Sequence, residues 1–277
     1  MVEKKYLIAS GCSFTQGHHL GERGSWATYF AKNNNLELIN LGFGGGGNES
    51  IITQLIQYSK INKDISENAI FGIQLSECLR TLTCIDFPND SRYPKYWHIT
   101  PAQFIREDGF DGWDLSSHHN KFLFDNRYTL APFYMNVTNS VLITINAIIG
   151  FIDFCKSNNY PFFIFDGLSK VIPVKTDKSW KLINRIDNKD YWDVDVSDEM
   201  DTECFYSKSI KPIIHEKIIN YINSIKEYHQ IDDYKSYLFN LGIEEFNNFD
   251  YYFIGNQGHP NEEGSKKWAE YLQNIIW

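Results

Sequence analysis

The chain has 277 residues, 43% hydrophobic and 16% aromatic, with 26 Lys and Arg against 35 Asp and Glu. That is enough apolar surface for one sizeable core, which argues against global disorder. The formal charge of −9 argues against a nucleic-acid partner, which would call for a basic face. The five cysteines (Cys12, Cys78, Cys84, Cys155 and Cys204) are odd in number and scattered without a CxxC pair. They read as reduced thiols rather than as a disulfide framework or a zinc knuckle.

Tyr6–Ser10 is a short apolar run stopped by Gly11, as in a buried strand. Trp26, Tyr29 and Phe30 lie at i, i+3 and i+4, which marks a helix face within residues 25–33. Leu36–Leu41 is a second strand, closed by Gly42. Asn48 reads as the N-cap of a helix carrying Ile51, Ile52, Leu55 and Ile56 on one side. Ala69–Leu75 is a third strand. Asn139–Lys156 is a long apolar helix, and the Phe-rich stretch Pro161–Asp166 is a buried strand. Tyr251–Ile254 is expected as the last strand. Asn261 is expected to cap the last helix, with Glu262 and Glu263 suiting its dipole.

Strands alternating with helices imply a parallel sheet covered on both faces. Residues 81–138 and 170–248 interrupt the alternation and are read as insertions in a single domain spanning 1–277. Helices are expected near Pro212–Lys226 and Asp232–Leu241. No run reaches the ~18 apolar residues of a membrane span, because Thr144, Asn146 and Asp153 interrupt the longest stretch. The first residues lack an export-signal pattern, so no membrane partner is expected. Ala9-Ser10-Gly11-Cys12 loosely matches a lipoprotein cleavage box but fits better as a strand entering a turn.

Ligands of an open parallel sheet sit beyond the carboxyl ends of its strands. Ser13 lies there, in the turn after strand one, and needs a base to become a nucleophile. His259, just before the last helix, comes to the same edge and can be that base. Gly44, Gly45 and Gly46, after strand two, can offer backbone N–H groups to an oxyanion without a Cβ in the way.

Gly11-Cys12-Ser13-Phe14-Thr15, Asn40-Leu41-Gly42-Phe43-Gly44-Gly45-Gly46-Gly47-Asn48 and Asn256-Gln257-Gly258-His259-Pro260-Asn261 together resemble the first, second and last blocks of the SGNH (GDSL-like) hydrolases. The resemblance implies a three-layer α/β/α flavodoxin-like fold with a strand order of 2-1-3-4-5. It implies hydrolysis of esters, often acetyl groups on sugars, with Ser13 as nucleophile and His259 as base. Gly45 becomes the favoured oxyanion donor, with Gly44, Asn48 and Ser76 beside it as oxyanion- or substrate-binding candidates. No cofactor and no metal are implied.

The chain departs from the family pattern twice. After strand three it reads Ser76-Glu77-Cys78-Leu79-Arg80 with no Gly-x-Asn-Asp, so Ser76 is the candidate donor in place of the missing asparagine. Asn256 stands where the pattern has the aspartate that orients the base. An asparagine accepts a hydrogen bond but cannot offset an imidazolium charge. Asp250 is a conceivable substitute.

Other readings compete. Gly42–Gly47 fits G-x-G-x-x-G, with Glu77 as a ribose-binding acid, but it follows the second strand rather than the first. His118-His119 with Asp111 and Asp114, and His18-His19, lack metal-ligand spacing. Arg80 could meet an anionic substrate. Trp97, Phe104, Trp113, Phe122 and Tyr128 could form a sugar-stacking wall. A catalytically inactive descendant, kept as a glycan-binding or assembly module, is the rival to the hydrolase.

Overall fold

The computed structural model describes residues 4–21, 24–77, 80–84, 96–99, 125, 137–168, 174–175, 180–181, 216–229, 234–246, 248, 251–254 and 259–276. Strand β1 (Tyr6–Ser10) leads into a single helical turn, α1 (Ser13–Gln16), and then into α2 (Trp26–Asn33), whose Ser25 cap accepts from Thr28 N. β2 (Glu37–Asn40), α3 (Asn48–Ile61), α4 (Lys63–Ser66) and β3 (Ala69–Leu75) follow. β4 (Thr81–Cys84) and β5 (Tyr96–Ile99) form an antiparallel pair inside the first expected insertion. Next come α5 (Val137–Asn158), β6 (Phe162–Asp166) and the two-residue pair β7 (Val174–Lys175) and β8 (Trp180–Lys181). α6 (Glu216–Asn223), β9 (Tyr228–His229), α7 (Tyr234–Phe246) and α8 (Glu262–Ile276) complete the order.

The main sheet has five parallel strands in the order β2-β1-β3-β6-β9, which is 2-1-3-4-5 when only sheet strands are counted. This is the expected flavodoxin-like order. β6 shows how the layers form, because its side chains alternate between faces. Phe163 and Phe165 pack edge-on or tilted against Trp26, Phe30 and Trp268 from α2 and α8. Phe162 meets Phe151 of α5 on the other face. Gly72 lies opposite Phe163 in the register, and a Cβ there would come within 2.6 Å of the Phe163 ring. The ring therefore occupies the room that the glycine leaves. Tyr29 of α2 donates to Glu262 of α8 at 2.9 Å, tying the two helices on that face.

α5 is the one helix among the described residues long and apolar enough to cross a membrane by length and composition. Its Val141, Ile145, Ile148, Ile152 and Cys155 are buried in the core, a helical stripe facing inward. Counting Thr144, Asn146 and Asp153 as breaks had hidden how apolar the whole segment is.

Two expectations are corrected. The fifth strand is Tyr228–His229, inside the stretch read as the second insertion, so part of 170–248 belongs to the main sheet. Tyr251–Ile254 joins no strand of that sheet; Phe253 makes an isolated antiparallel bridge to Pro260 instead. A two-residue strand carries no readable alternation, and β9 is secured by a side chain: Tyr228 donates to buried Asp166 at 2.9 Å. Asn48 is not the cap of α3 either. Gly47 takes the cap position with extended backbone, and Asn48 is the first helical residue.

Candidate functional site

The carboxyl ends of β1, β2 and β3 share one edge, with Ser10 level with Ile73 in the register. Cys12, in extended conformation, starts α1, and Ser13 is its first residue. Because α1 spans only four residues, what fixes Ser13 is what fixes that turn. Asn40, at the end of β2, donates to Thr15 O at 2.7 Å and accepts from Gly42 N at 2.9 Å. Gly42 lies so close that a Cβ on it would sit 2.4 Å from Gln16 N and 2.7 Å from Thr15 C. Only glycine allows that approach of backbone to backbone.

From below, α1 is held by a buried polar group. Thr15 Oγ1 donates to Gln74 Oε1 at 2.6 Å, and the Trp26 indole N–H reaches the same oxygen at 2.9 Å. The indole is a donor only, so it fixes which end of the Gln74 amide is the oxygen. Nothing else in the apolar run of β3 gave this residue away. The usable signal was a single amide in a strand whose seven residues are all buried, since such a group must find partners.

His259 is positioned by short antiparallel pairing with the segment before it. Ile254 N donates to His259 O at 2.8 Å, and Asn261 N to Tyr252 O at 2.8 Å. Asn261 then accepts from Gly264 N at 2.9 Å, the capping bond expected from the sequence. The result is a separation of 2.9 Å between His259 Nε2 and Ser13 Oγ, within hydrogen-bond reach. Phe14 lies on the His259 ring at 4.9 Å between centroids. His18 and His19 approach it as well, at 5.2 and 5.5 Å. Burial, and then the neighbouring His19 charge, lower the pKa of His18. His19 holds a left-handed backbone with φ 69°, a conformation rare outside glycine but tolerated by histidine better than by most residues. Among the described residues no group of His, Cys, Asp and Glu has the arrangement of a metal site.

After β2 the chain makes a turn in which Gly46 N donates to Phe43 O and Gly45 has φ 74°. A positive φ at the third position fits a type II turn and calls for glycine. Among the described residues the N–H groups of Ser13, Gly44 and Gly45 have no bonded partner. Within this glycine run, Gly42 has a local reason in close approach and Gly45 in turn geometry.

Asn48 and Ser76 meet each other. Ser76 N donates to Asn48 Oδ1 at 2.6 Å, and Asn48 Nδ2 donates to Ser76 O at 3.1 Å. Both residues are buried, and Ser76 Oγ has no partner. Their placement serves to pin the start of α3 to the end of β3 and offers no open face to a ligand. Glu77 is occupied by an ion pair with Arg80 at 3.2 Å. Cys12 is fully buried and free, as expected of a core thiol. Asn256 and Asp250 lie outside the described residues, as do Asp111, Asp114, His118, His119, Phe104, Trp113, Phe122 and Tyr128; Trp97 falls on β5.

No family model matches the chain, and no curated protein does. Its structural neighbours are GDSL-family lipolytic proteins and an acetyl xylan esterase. A G-D-S-L family lipolytic protein from Desulfitobacterium hafniense DCB-2 is 11% identical, with a TM-score of 0.46 over 98% of this chain and 99% of that one. A GDSL-like lipase from Parabacteroides merdae ATCC 43184 is 11% identical, with a TM-score of 0.46 over 100% and 97%. The acetyl xylan esterase is 12% identical, with a TM-score of 0.46 over 98% and 100%. The fold itself rests on the sheet order and register given above.

Proposed function

We propose that the protein is a serine ester hydrolase acting through an acyl-serine intermediate on a small acyl ester, such as an O-acetyl group on a carbohydrate. The observation that carries this reading is the 2.9 Å contact between Ser13 Oγ and His259 Nε2 at the carboxyl edge of the sheet. His259 Nε2 takes the Ser13 proton as Oγ attacks the carbonyl carbon, and the C=O π pair moves to the oxygen. Collapse of that intermediate expels the alcohol, which takes its proton from His259. Water then repeats the cycle on the acyl-serine and releases the acid. The uncommitted N–H groups of Ser13, Gly44 and Gly45 are candidates to receive the oxyanion. Sugar acetates as substrates follow from the family resemblance alone.

The rival reading, a non-catalytic binding or assembly module, rests on Asn256 and on the missing asparagine after strand three. Labelling with a fluorophosphonate, followed by mapping of the modified residue, tests the hydrolase directly. Label on Ser13, slow cleavage of p-nitrophenyl acetate and loss of both in Ser13→Ala are the expected results. Asn256→Asp is expected to raise the rate, because a carboxylate both orients the imidazole and stabilises its cation. Absence of label and of turnover in wild type and in Asn256→Asp, across sugar and alcohol acetates, favours the binding module.

A further inference from the structure

The turn after β3 holds a guanidinium that no part of the reading above has used. Arg80 has only 9% of its side chain exposed, and among the described residues the one bond of that side chain is from Nε to Glu77 Oε2 at 3.2 Å. Among the described residues its terminal nitrogens thus have no bonded partner. Arg80 N also donates to Glu77 O at 3.2 Å.

Ile73 of β3 is level with Ser10 of β1, so the two strands end at one edge of the sheet, with Ser13 three residues past β1 and Arg80 five residues past β3. The Arg80 charge and the Cys12 thiol are close enough to influence each other, and Cys12 is the residue before Ser13. The other candidate in this turn is spent: Ser76 is fully buried and its N–H is taken by Asn48.

We propose that Arg80 is a catalytic residue that donates from its terminal nitrogens to the oxyanion formed when Ser13 attacks an ester. The pairing with Glu77 favours this role over capture of an anionic substrate. A carboxylate on Nε cancels the charge as seen from a distance but leaves the Nη donors free for an oxygen that comes within reach. Donors fixed by burial suit charge that appears only in the transition state, because they need no reorganisation when it develops. This assignment rests on the hydrolase reading.

The test compares wild type, Arg80→Ala, Arg80→Lys, Glu77→Gln and Ser13→Ala on p-nitrophenyl acetate, a neutral ester. Arg80→Ala is expected to lose about 10²–10³-fold in kcat, the scale of one oxyanion donor, with KM little changed. Fluorophosphonate labelling of Ser13 should slow in parallel. Added guanidinium ion should restore part of the Arg80→Ala rate and none of the Ser13→Ala rate. Arg80→Lys should keep part of the activity, and Glu77→Gln, which spares the donors, should keep most of it. Rescue by guanidinium separates a donor from a merely structural arginine. An undiminished kcat in Arg80→Ala, a loss confined to KM for acidic esters, or equal losses in Arg80→Ala and Glu77→Gln without rescue would overturn the assignment while leaving the hydrolase in place. If wild type shows neither Ser13-dependent turnover nor label on Ser13, both readings fall.

Discussion

Replacing Gly42 by alanine tests whether the nucleophile is held by backbone contact. An alanine Cβ would lie 2.4 Å from Gln16 N, 2.7 Å from Thr15 C and 2.9 Å from Thr15 Cβ, where ordinary contact begins near 3.4 Å. About 1 Å must therefore be found, and the first two atoms are backbone that cannot swing aside. α1 resists because Asn40 and Gln74 grip it at Thr15. Either α1 moves, carrying Ser13 off His259, or the Gly44–Gly45 turn moves, carrying its N–H groups off Ser13. A misplacement of that size costs on the order of 10²-fold in rate, about 2.7 kcal/mol of barrier. Overpacking of this kind also lowers stability by roughly 1–3 kcal/mol. The assay pairs kcat/KM on p-nitrophenyl acetate with the melting temperature, and Gly150→Ala serves as the control. Gly150 has nothing within 4 Å of where its Cβ would be, so helix propensity alone should raise its stability by up to about 1 kcal/mol at full activity. Wild-type rate and wild-type melting in Gly42→Ala would refute the close approach and, with it, the account of how Ser13 is placed.

Three further outcomes are expected. Gln74→Leu removes the acceptor shared by Thr15 and Trp26, which should cost about 1–3 kcal/mol and lower the melting temperature by roughly 2–12 °C; an unchanged melt would show that the network contributes nothing. Asn261→Ala removes the cap on Gly264 N and should cost about 0.5–2 kcal/mol, with a loss of rate because the same residue anchors the His259 turn; calorimetry and kinetics on one sample check both. Burial pushes the Cys155 thiol well above its usual range. The unfolded chain therefore releases this proton first, near pH 8.5. Stability is intact below that pH and falls above it by up to about 1.4 kcal/mol per pH unit. Denaturant titrations of Cys155→Ala between neutral and alkaline pH should show a flatter dependence than wild type.

The sheet was legible where strands are long and fully buried. β1, β3 and β6 are mostly apolar runs, while the strand order came from the family resemblance. β9 was not legible, because two residues make no pattern and its security comes from Tyr228 reaching Asp166. Tyr251–Ile254 misled for the opposite reason. Its apolar run looks like a strand, yet it pairs with the residues from His259 onward rather than with the sheet. Ser13 and His259 could be read from their flanks, and the structure brings them together. Asn40 and Gln74 could not, since a polar side chain that supports a site from behind leaves no spacing in the sequence; Arg80 could be read only as a partner for an anionic substrate. Asn48 was half legible: its position opens α3, but its amide is turned to Ser76 across the sheet edge rather than to its own helix.

Ser13 and His259 are 246 residues apart in the chain. During synthesis at roughly 5–20 residues per second, the serine waits on the order of 10–50 s for its partner to be translated. Throughout that interval β1, β2 and β3 can pair, yet an ester meeting the growing polypeptide finds an ordinary alcohol. The histidine, moreover, is followed directly by α8, which packs on α2 and is tied to it through Tyr29 and Glu262. On the hydrolase reading, docking of α8 is thus the event that brings a base to the hydroxyl. On that reading a chain cut before His259 would keep β1, β2 and β3 yet stay silent toward an active-site probe, so such a probe reports the docking of α8 rather than the folding of the sheet.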